Sequence, residues 1–465
     1  MNKLQLLGSC MILAALAAPA WAGDGAVYEG FGTDASYPGY GFYVNTVGGT
    51  TQNDTPGQVA AAPDGSLYLG GRMSAPGSLR ISLVKTDASG YPDYGFADAG
   101  TRTYVSPCVG AFARDLKIDA QGRLWMLISG CGDFIVYRFL PSGDPDTALK
   151  GTGSVSIAFD KGGTNEDRAA QLLLLPGGGC VVAGWADSAD HELLAVAQID
   201  DQGDPAAFGV AGKVTVALEL DAFFVQGLHR MDDGRLMIDG SMSENAVAKH
   251  FVVRLQPGGG FDLSYGNLSP GISVKNFQTA LNLVSQPVAK GSWMERDGSL
   301  IQIGSANYAS APNSDNDVLL VRWDADGQLD TSIGPFGTRH YSLDFAGPNP
   351  VDAANNSDSG ENIVREGNGR YLISANSGGA DGGTGISFLR LKPDLTLDAS
   401  FGTGGFVRHY LDLSASVDDG LVSFSHLLLR PGIAIVPTRI ATGGTTTLQG
   451  MLGVQEDVLF ADNFE

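Results

Sequence analysis

Apolar residues recur at every second position along short stretches of this chain, and glycine-rich turns separate the stretches. Residues 212–270 show the pattern. Val214, Val216 and Leu218 alternate with Thr215 and Ala217, and a period of two predicts a strand. Residues 224–230 form a second run, Asp232, Asp233 and Gly234 a turn, and residues 236–238 and 251–255 two further runs. An Asp-Gly turn between apolar runs predicts a tight hairpin. Neither a 3.6-residue period nor a capping box appears, so the unit reads as four antiparallel strands.

The unit repeats. A turn glycine before an apolar strand stands at Gly65, Gly122, Gly178, Gly234, Gly298, Gly369 and, in a degenerate copy, Gly432; the steps are 57, 56, 56, 64, 71 and 63 residues. The last strand of the unit recurs as well, at residues 81–84, 134–139, 194–197, 318–323 and 387–391. Self-similarity at such a period marks one supersecondary unit stacked on copies of itself. Four antiparallel strands repeated radially make a β-propeller blade. The expected fold is therefore all-β, a seven-bladed propeller. A linear β-solenoid is the alternative, but its rungs are normally much shorter.

Bulk composition agrees. The chain has 465 residues, of which 65 are glycine, about twice the usual share. A length beyond that of a single core is accommodated because each repeat packs mainly on its neighbours. The net charge of −22 disfavours nucleic acid and anionic membrane surfaces as partners.

Residues 1–22 read as a secretory signal, with Lys3 as the positive region, an apolar run from residue 6 to 18 and Ala20-Trp21-Ala22 as the cleavage site. Leu7-Gly8-Ser9-Cys10 resembles a lipoprotein site, but Cys10 precedes most of the apolar run. The expected layout is a signal peptide (1–22), an extension (23–39), a propeller (40–455) and a short acidic-aromatic tail (456–465). Export to the periplasm, the cell surface or the medium is expected, without membrane insertion and as a monomer. In that compartment disulfides persist. Cys108 and Cys131, each just after a strand of one repeat, are the favoured pair; Cys180 lies in an apolar strand and reads as a small buried hydrophobe.

The turns after the fourth strands read Asp262-Leu263-Ser264-Tyr265-Gly266, Asp330-Thr331-Ser332-Ile333-Gly334 and Asp398-Ala399-Ser400-Phe401-Gly402. With the preceding Arg-Leu strand and the Asp-Gly hairpin, they resemble the delta-60 repeat, a bacterial β-propeller repeat, over roughly residues 40–440. Two early copies depart from the pattern at Tyr91 to Gly95 and at Asp144 to Ala148, where Ala148 replaces the usual glycine. The resemblance implies a propeller in exported or surface proteins and brings no catalytic residues. Residues 459–465 resemble an ending seen on exported proteins of Gram-negative bacteria.

In such a meander the marker hairpins and the inter-blade turns emerge on one face, and the remaining loops on the other. Length variation concentrates in that second set, at 278–291, 306–316, 346–360 and 376–384, and long loops on a rigid scaffold are where binding residues gather. Asn313, Asp315, Asp317, Asp352 and Asp358 are candidate calcium ligands, being hard oxygen donors; ordinary loop chemistry accounts for the same residues. Asp324, Asp326 and Asp330 lack the bidentate glutamate of a calcium loop and read as a turn. His191-Glu192 opens like a zinc-protease motif, but Ala195 stands where the second histidine belongs. No nucleophile elbow, P-loop or C-x-x-C occurs. Trp125, Trp185, Trp293 and Trp323 lie in or beside strands, where core packing accounts for them. Two readings of function follow. The first is a non-enzymatic binding scaffold for a protein or glycan ligand, with no cofactor; the second is a propeller hydrolase or lyase using carboxylates or a metal in the central channel. Calcium in the acidic loops is a third, separate expectation.

Overall fold

The computed structural model describes residue 26, residues 31–32 and 42–44, and residues 54–455 apart from 76–77, 98, 221, 245–246, 282, 284–286, 308–315, 344–356, 379–383, 410–419, 424–425 and 442–446. Seven antiparallel sheets form a ring, a seven-bladed β-propeller. In blades 1 to 6 the four strands lie in chain order from the axis outward. Their inner strands are Thr55–Ala61, Phe112–Ile118, Arg168–Leu174, Ala222–Arg230, Val288–Met294 and Asp358–Arg365. The first five each pack on the inner strand of the next blade, and blade 7 packs on both blade 6 and blade 1, which closes the ring around the axis.

The phase of the repeat differs from the one the sequence suggests. Lys213–Leu220 begins the unit in the pattern, yet it pairs with Glu192–Ile199 and is the outer strand of blade 3. Blade 4 comprises Ala222–Arg230, Leu236–Glu244, Val247–Leu255 and Ile272–Lys275. Alternation along the chain identifies strands but not the sheet each joins; backbone pairing across the inter-blade turn decides that.

The core consists of apolar clusters between consecutive blades. Strand alternation creates them by splitting each sheet's side chains between two faces. Leu67 and Leu69 pack against blade 7, for example, while Tyr68 between them packs against blade 2. Both faces are buried, so the middle strands read as nearly continuous apolar runs, as at Leu124, Trp125, Met126, Leu127 and Ile128. Each fully buried aliphatic or aromatic side chain contributes about 2 kcal/mol.

The marker glycines all have φ between 76° and 89°. An L side chain is strained there, which is why the turn keeps its glycine while flanking residues vary. Each inner strand also carries one extra residue at an equivalent level, near Gln58, Arg114, Ala170, Gln226, Lys290 and Glu361. Such bulges bend a strand and re-aim side chains.

The ring closes through a strand from the N-terminal side. Blade 7 contains Ile433–Ala441, Thr447–Gln455 and the short inner strands Gly420–Ser423 and Leu428–Arg430; its outer strand is Phe42–Val44. Phe42 pairs with Leu452 and Val44 with Gly450. From the sequence, either a strand at 26–31 or residues 445–454 alone can complete the last blade. Residues 42–44 take that role, and Phe31 does something else. In blades 1 to 6 one apolar side chain of the turn before the outer strand is buried: Phe96, Leu149, Phe208, Tyr265, Ile333 and Phe401. Phe31 supplies the same plug for blade 7. Its ring meets Gly90 of blade 1, as Phe96 meets Gly143 and Tyr265 meets Gly327; a Cβ on any of these glycines would come within 2.8 Å of the ring.

Candidate functional site

The motif behind the repeat resemblance is structural. The arginine of the third strand is buried and pairs with the aspartate of the following turn. Arg254 Nε lies 2.7 Å from Asp262 Oδ2 and Arg390 Nε 3.0 Å from Asp398 Oδ2; Arg138 Nε lies 2.6 Å from Asp146 Oδ2. Each guanidinium also stacks on a neighbouring ring, of Tyr265, Phe401 and Trp125 respectively. Arg254 then donates to Ala325 O of blade 5, and Arg138 to Asp201 O of blade 3, latching one blade to the next. A second arginine after the marker glycine reaches the same carboxylate: Arg235 Nη1 donates to Asp262 Oδ2 at 2.6 Å. Burial raises the Asp262 pKa, but bonds from Arg235 and Ser264 and the charge of Arg254 outweigh it and hold the group far below the usual carboxylate range.

The sequence-predicted residues are distributed as follows. Cys108 and Cys131 form a disulfide, tying the connection into blade 2 to a strand end of that blade. Cys180 is buried with a free thiol whose pKa burial pushes up. Asn313, Asp315 and Asp352 lie outside the described residues. Asp317 is the second residue of the blade 5 strand Asn316–Trp323, and Asp358 is buried and accepts from Leu343 N–H at 2.8 Å. Asp167 does the same for Phe159 N–H at 2.6 Å. Among the described residues no group of three or more His, Cys, Asp or Glu could hold a metal ion. Three of the four expected long loops lie mainly outside the described residues. In 278–291, residues up to Leu281 complete the one-turn helix Phe277–Leu281, and the inner strand already begins at Val288.

The polar groups that do converge lie between blades 4 and 5. His229 Nε2 is 2.8 Å from Ser292 Oγ, which donates to Asp239 Oδ1 at 2.8 Å; His229 Nε2 is also 3.4 Å from Asp239 Oδ1. Gln302 Nε2 donates to Asp239 Oδ2 at 3.0 Å, and its Oε1 accepts from Trp323 Nε1 at 2.8 Å. His250 Nδ1 is 3.2 Å from the same Oε1; burial pushes the His250 pKa down to about 4. Serine, histidine and aspartate thus meet, but not as a relay. In a relay the acid holds one imidazole nitrogen and the nucleophile the other. Here both partners crowd Nε2, and Asp239 is fully buried. The set acts as a polar bridge between blades. Sequence scanning missed it because its members stand on two repeats; the available signal was His229 and Ser292 at neighbouring positions of successive inner strands.

One residue further along those strands is a pocket of about 60 Å³ at the hairpin-side mouth of the ring. Arg230 and Asp232 of blade 4, Trp293, Glu295 and Arg296 of blade 5, and Arg365 of blade 6 line it. Arg365 Nη1 lies 3.3 Å from Glu295 Oε2, and Tyr371 Oη donates to Glu295 Oε1 at 2.5 Å. The pocket is on the face opposite the long loops in which the sequence placed recognition.

Fold and site thus define a seven-bladed propeller with a polar, non-relay interior. A family model described as a domain of unknown function (DUF5122) beta-propeller matches residues 366–401, the stretch carrying the marker hairpin and latch of blade 6. No curated protein matches the chain. Among solved structures, the polysaccharide lyase Uly1 is similar with a TM-score of 0.50 and 11% identity, over 94% of this chain and 98% of that one. A streptogramin B lyase is similar with a TM-score of 0.42 and 12% identity, over 89% and 98%. Drosophila plexin A, solved in complex with semaphorin 1b, has a TM-score of 0.42 and 8% identity, over 93% and 88%. At these identities the likeness concerns the fold alone. No helix among the described residues is long and apolar enough to cross a membrane.

Proposed function

We propose that the protein is an exported, non-enzymatic binding scaffold for a protein or glycan ligand, acting at the cell surface or outside the cell as a monomer. The observation that supports this reading is the use made of its ionisable groups. The acids of the latches are held by arginines within the ring, and the His229–Ser292–Asp239 set lacks the connectivity that would activate a nucleophile. The signal-like first 22 residues support export, and the net charge of −22 disfavours nucleic acid. The test is capture from the native secretome by the immobilised chain, beside a variant with 308–315 and 344–356 replaced by short linkers. Loss of a retained partner at unchanged melting midpoint is expected. An identical retained set with both proteins counts against the loops as the recognition surface.

The convergence of His229, Ser292 and Asp239 keeps one second reading in view, a propeller hydrolase or lyase. It requires turnover of a polysaccharide or ester substrate that is abolished by Ser292→Ala and retained by a loop-replaced variant. Turnover of that kind would replace the scaffold reading.

A further inference from the structure

The hairpin-side pocket inverts the sign of its surroundings. On a chain of net charge −22, it gathers three guanidinium groups against two carboxylates. The carboxylates are not equally available. Glu295 is already engaged by Arg365 and by Tyr371 Oη, whereas the exposed Arg230 has no acceptor among the described residues. Trp293 gives the pocket an indole wall, and its Nε1–H is buried without an acceptor among the described residues. Met231 and Met294 add apolar surface. A forked donor beside an aromatic wall suits a planar carboxylate held on a ring: guanidinium groups recognise carboxylates bidentately, and rings stack on indole. The volume of about 60 Å³ admits a carboxylate and a few attached atoms, so the rest of such a ligand would lie across the mouth.

We infer that this pocket is a binding site for a carboxylate carried on a ring, with Arg230 and Arg365 holding the carboxylate and Trp293 facing the ring. The inference deepens the binding reading and rests on it. The ring could belong to an acidic sugar or to an aromatic acid, and the two share the recognised chemistry. The test is titration of the purified full chain with galacturonate and with benzoate, followed by tryptophan fluorescence and calorimetry, with galactose and inorganic phosphate as controls. Saturable binding of at least one carboxylate, and of neither control, is expected. Arg230→Ala should weaken it about tenfold, the effect of losing one charge-assisted contact, with no change in melting midpoint. Trp293→Phe should abolish the fluorescence response while leaving calorimetric binding detectable. The arm that binds identifies the ring. Silence of both carboxylates up to 20 mM (roughly the weakest affinity such a contact would give), equal binding by Arg230→Ala, or equal binding of phosphate would each overturn the assignment. Secretome capture that persists while both carboxylates stay silent removes the pocket and leaves the scaffold reading standing; carboxylate turnover does the reverse.

Discussion

Replacing Phe31 with alanine tests how the ring is held shut. Phe31 is fully buried among Val59, Leu67, Leu69 and Val84 of blade 1 and Ile433, Ile435 and Met451 of blade 7. It stands in the place that Phe401 occupies in blade 6, but reaches it from the opposite end of the chain. Truncating a buried phenylalanine costs about 3–5 kcal/mol, the transfer term plus the cavity left behind. Taking about 4 kcal/mol and a urea dependence of about 3 kcal/mol per molar, the midpoint should fall by about 1 M. Phe401→Ala is the internal control, since it removes an equivalent plug from a blade whose strands are continuous in sequence. The two variants should lose similar stability in urea denaturation followed by tryptophan fluorescence. They should differ in where the structure opens. Hydrogen exchange should rise first at the Phe42–Val44 pairing with Thr447–Gln455 in Phe31→Ala, because among the described strand pairings that one joins the most distant parts of the chain. A normal drop for Phe401→Ala with no drop for Phe31→Ala would refute the closure reasoning.

Three further outcomes are expected. Arg390→Met leaves the Asp398 carboxylate to Arg370, 3.3 Å away, and to Ser400, and should cost about 2–3 kcal/mol for the lost charge-assisted contact, whereas adding Asp398→Leu should recover much of that; equal loss in both, measured by denaturant titration, would argue against a charge latch. Burial raises Asp54 and Asp167 from 3.8 to about 6, so the folded state holds their protons more tightly than the unfolded state does. Their contribution is complete below about pH 4, is lost as pH rises through 6, and amounts to about 3 kcal/mol each; Asp54→Asn should therefore gain on the parent between pH 4 and pH 7, and a constant difference would contradict the assignment. Reduction of the Cys108–Cys131 bond, with a sequence separation of 23, should lower stability by about 3 kcal/mol, and an unchanged urea midpoint in dithiothreitol would show that the bond carries no such weight.

The propeller was legible because two periods are written into the chain at once. Alternation fixes strands, and the recurring glycine with positive φ fixes the hairpin between the first and second strand of each blade. What alternation does not encode is the sheet to which a strand belongs, so in the chain's pattern Lys213–Leu220 stands with the blade that follows it, although it completes the one before. The closing strand was harder still. Phe31 and Phe42–Val44 carry the plug and outer strand of a blade whose remainder lies some 400 residues away, and no local signal joins the two halves. The candidate site was not legible for a related reason. His229 and Ser292, or Arg230 and Arg365, are unremarkable within their own repeats; only stacking of blades 4, 5 and 6 brings them together.

That difference separates scaffold from site. Positions whose chemistry recurs around the ring serve the ring: the latch arginine and aspartate are paired in blades 2, 4 and 6, and the plug is buried in every blade. Function belongs where equivalence breaks. On the inner strands, the residue at the level of Arg114 is Ala170, Gln226, Lys290 or Glu361 in later blades, and Lys290 Nζ bonds Glu361 Oε1 at 2.6 Å where blades 5 and 6 meet. Four residues on, the strand ends are Ile118 and Leu174 in blades 2 and 3 but Arg230 and Arg365 in blades 4 and 6. A guanidinium left without an acceptor among the described residues, beside an indole, does not improve ring packing, since an apolar residue serves that level in blades 2 and 3. Retaining it in blade 4 makes physical sense if something outside the chain supplies the missing acceptor.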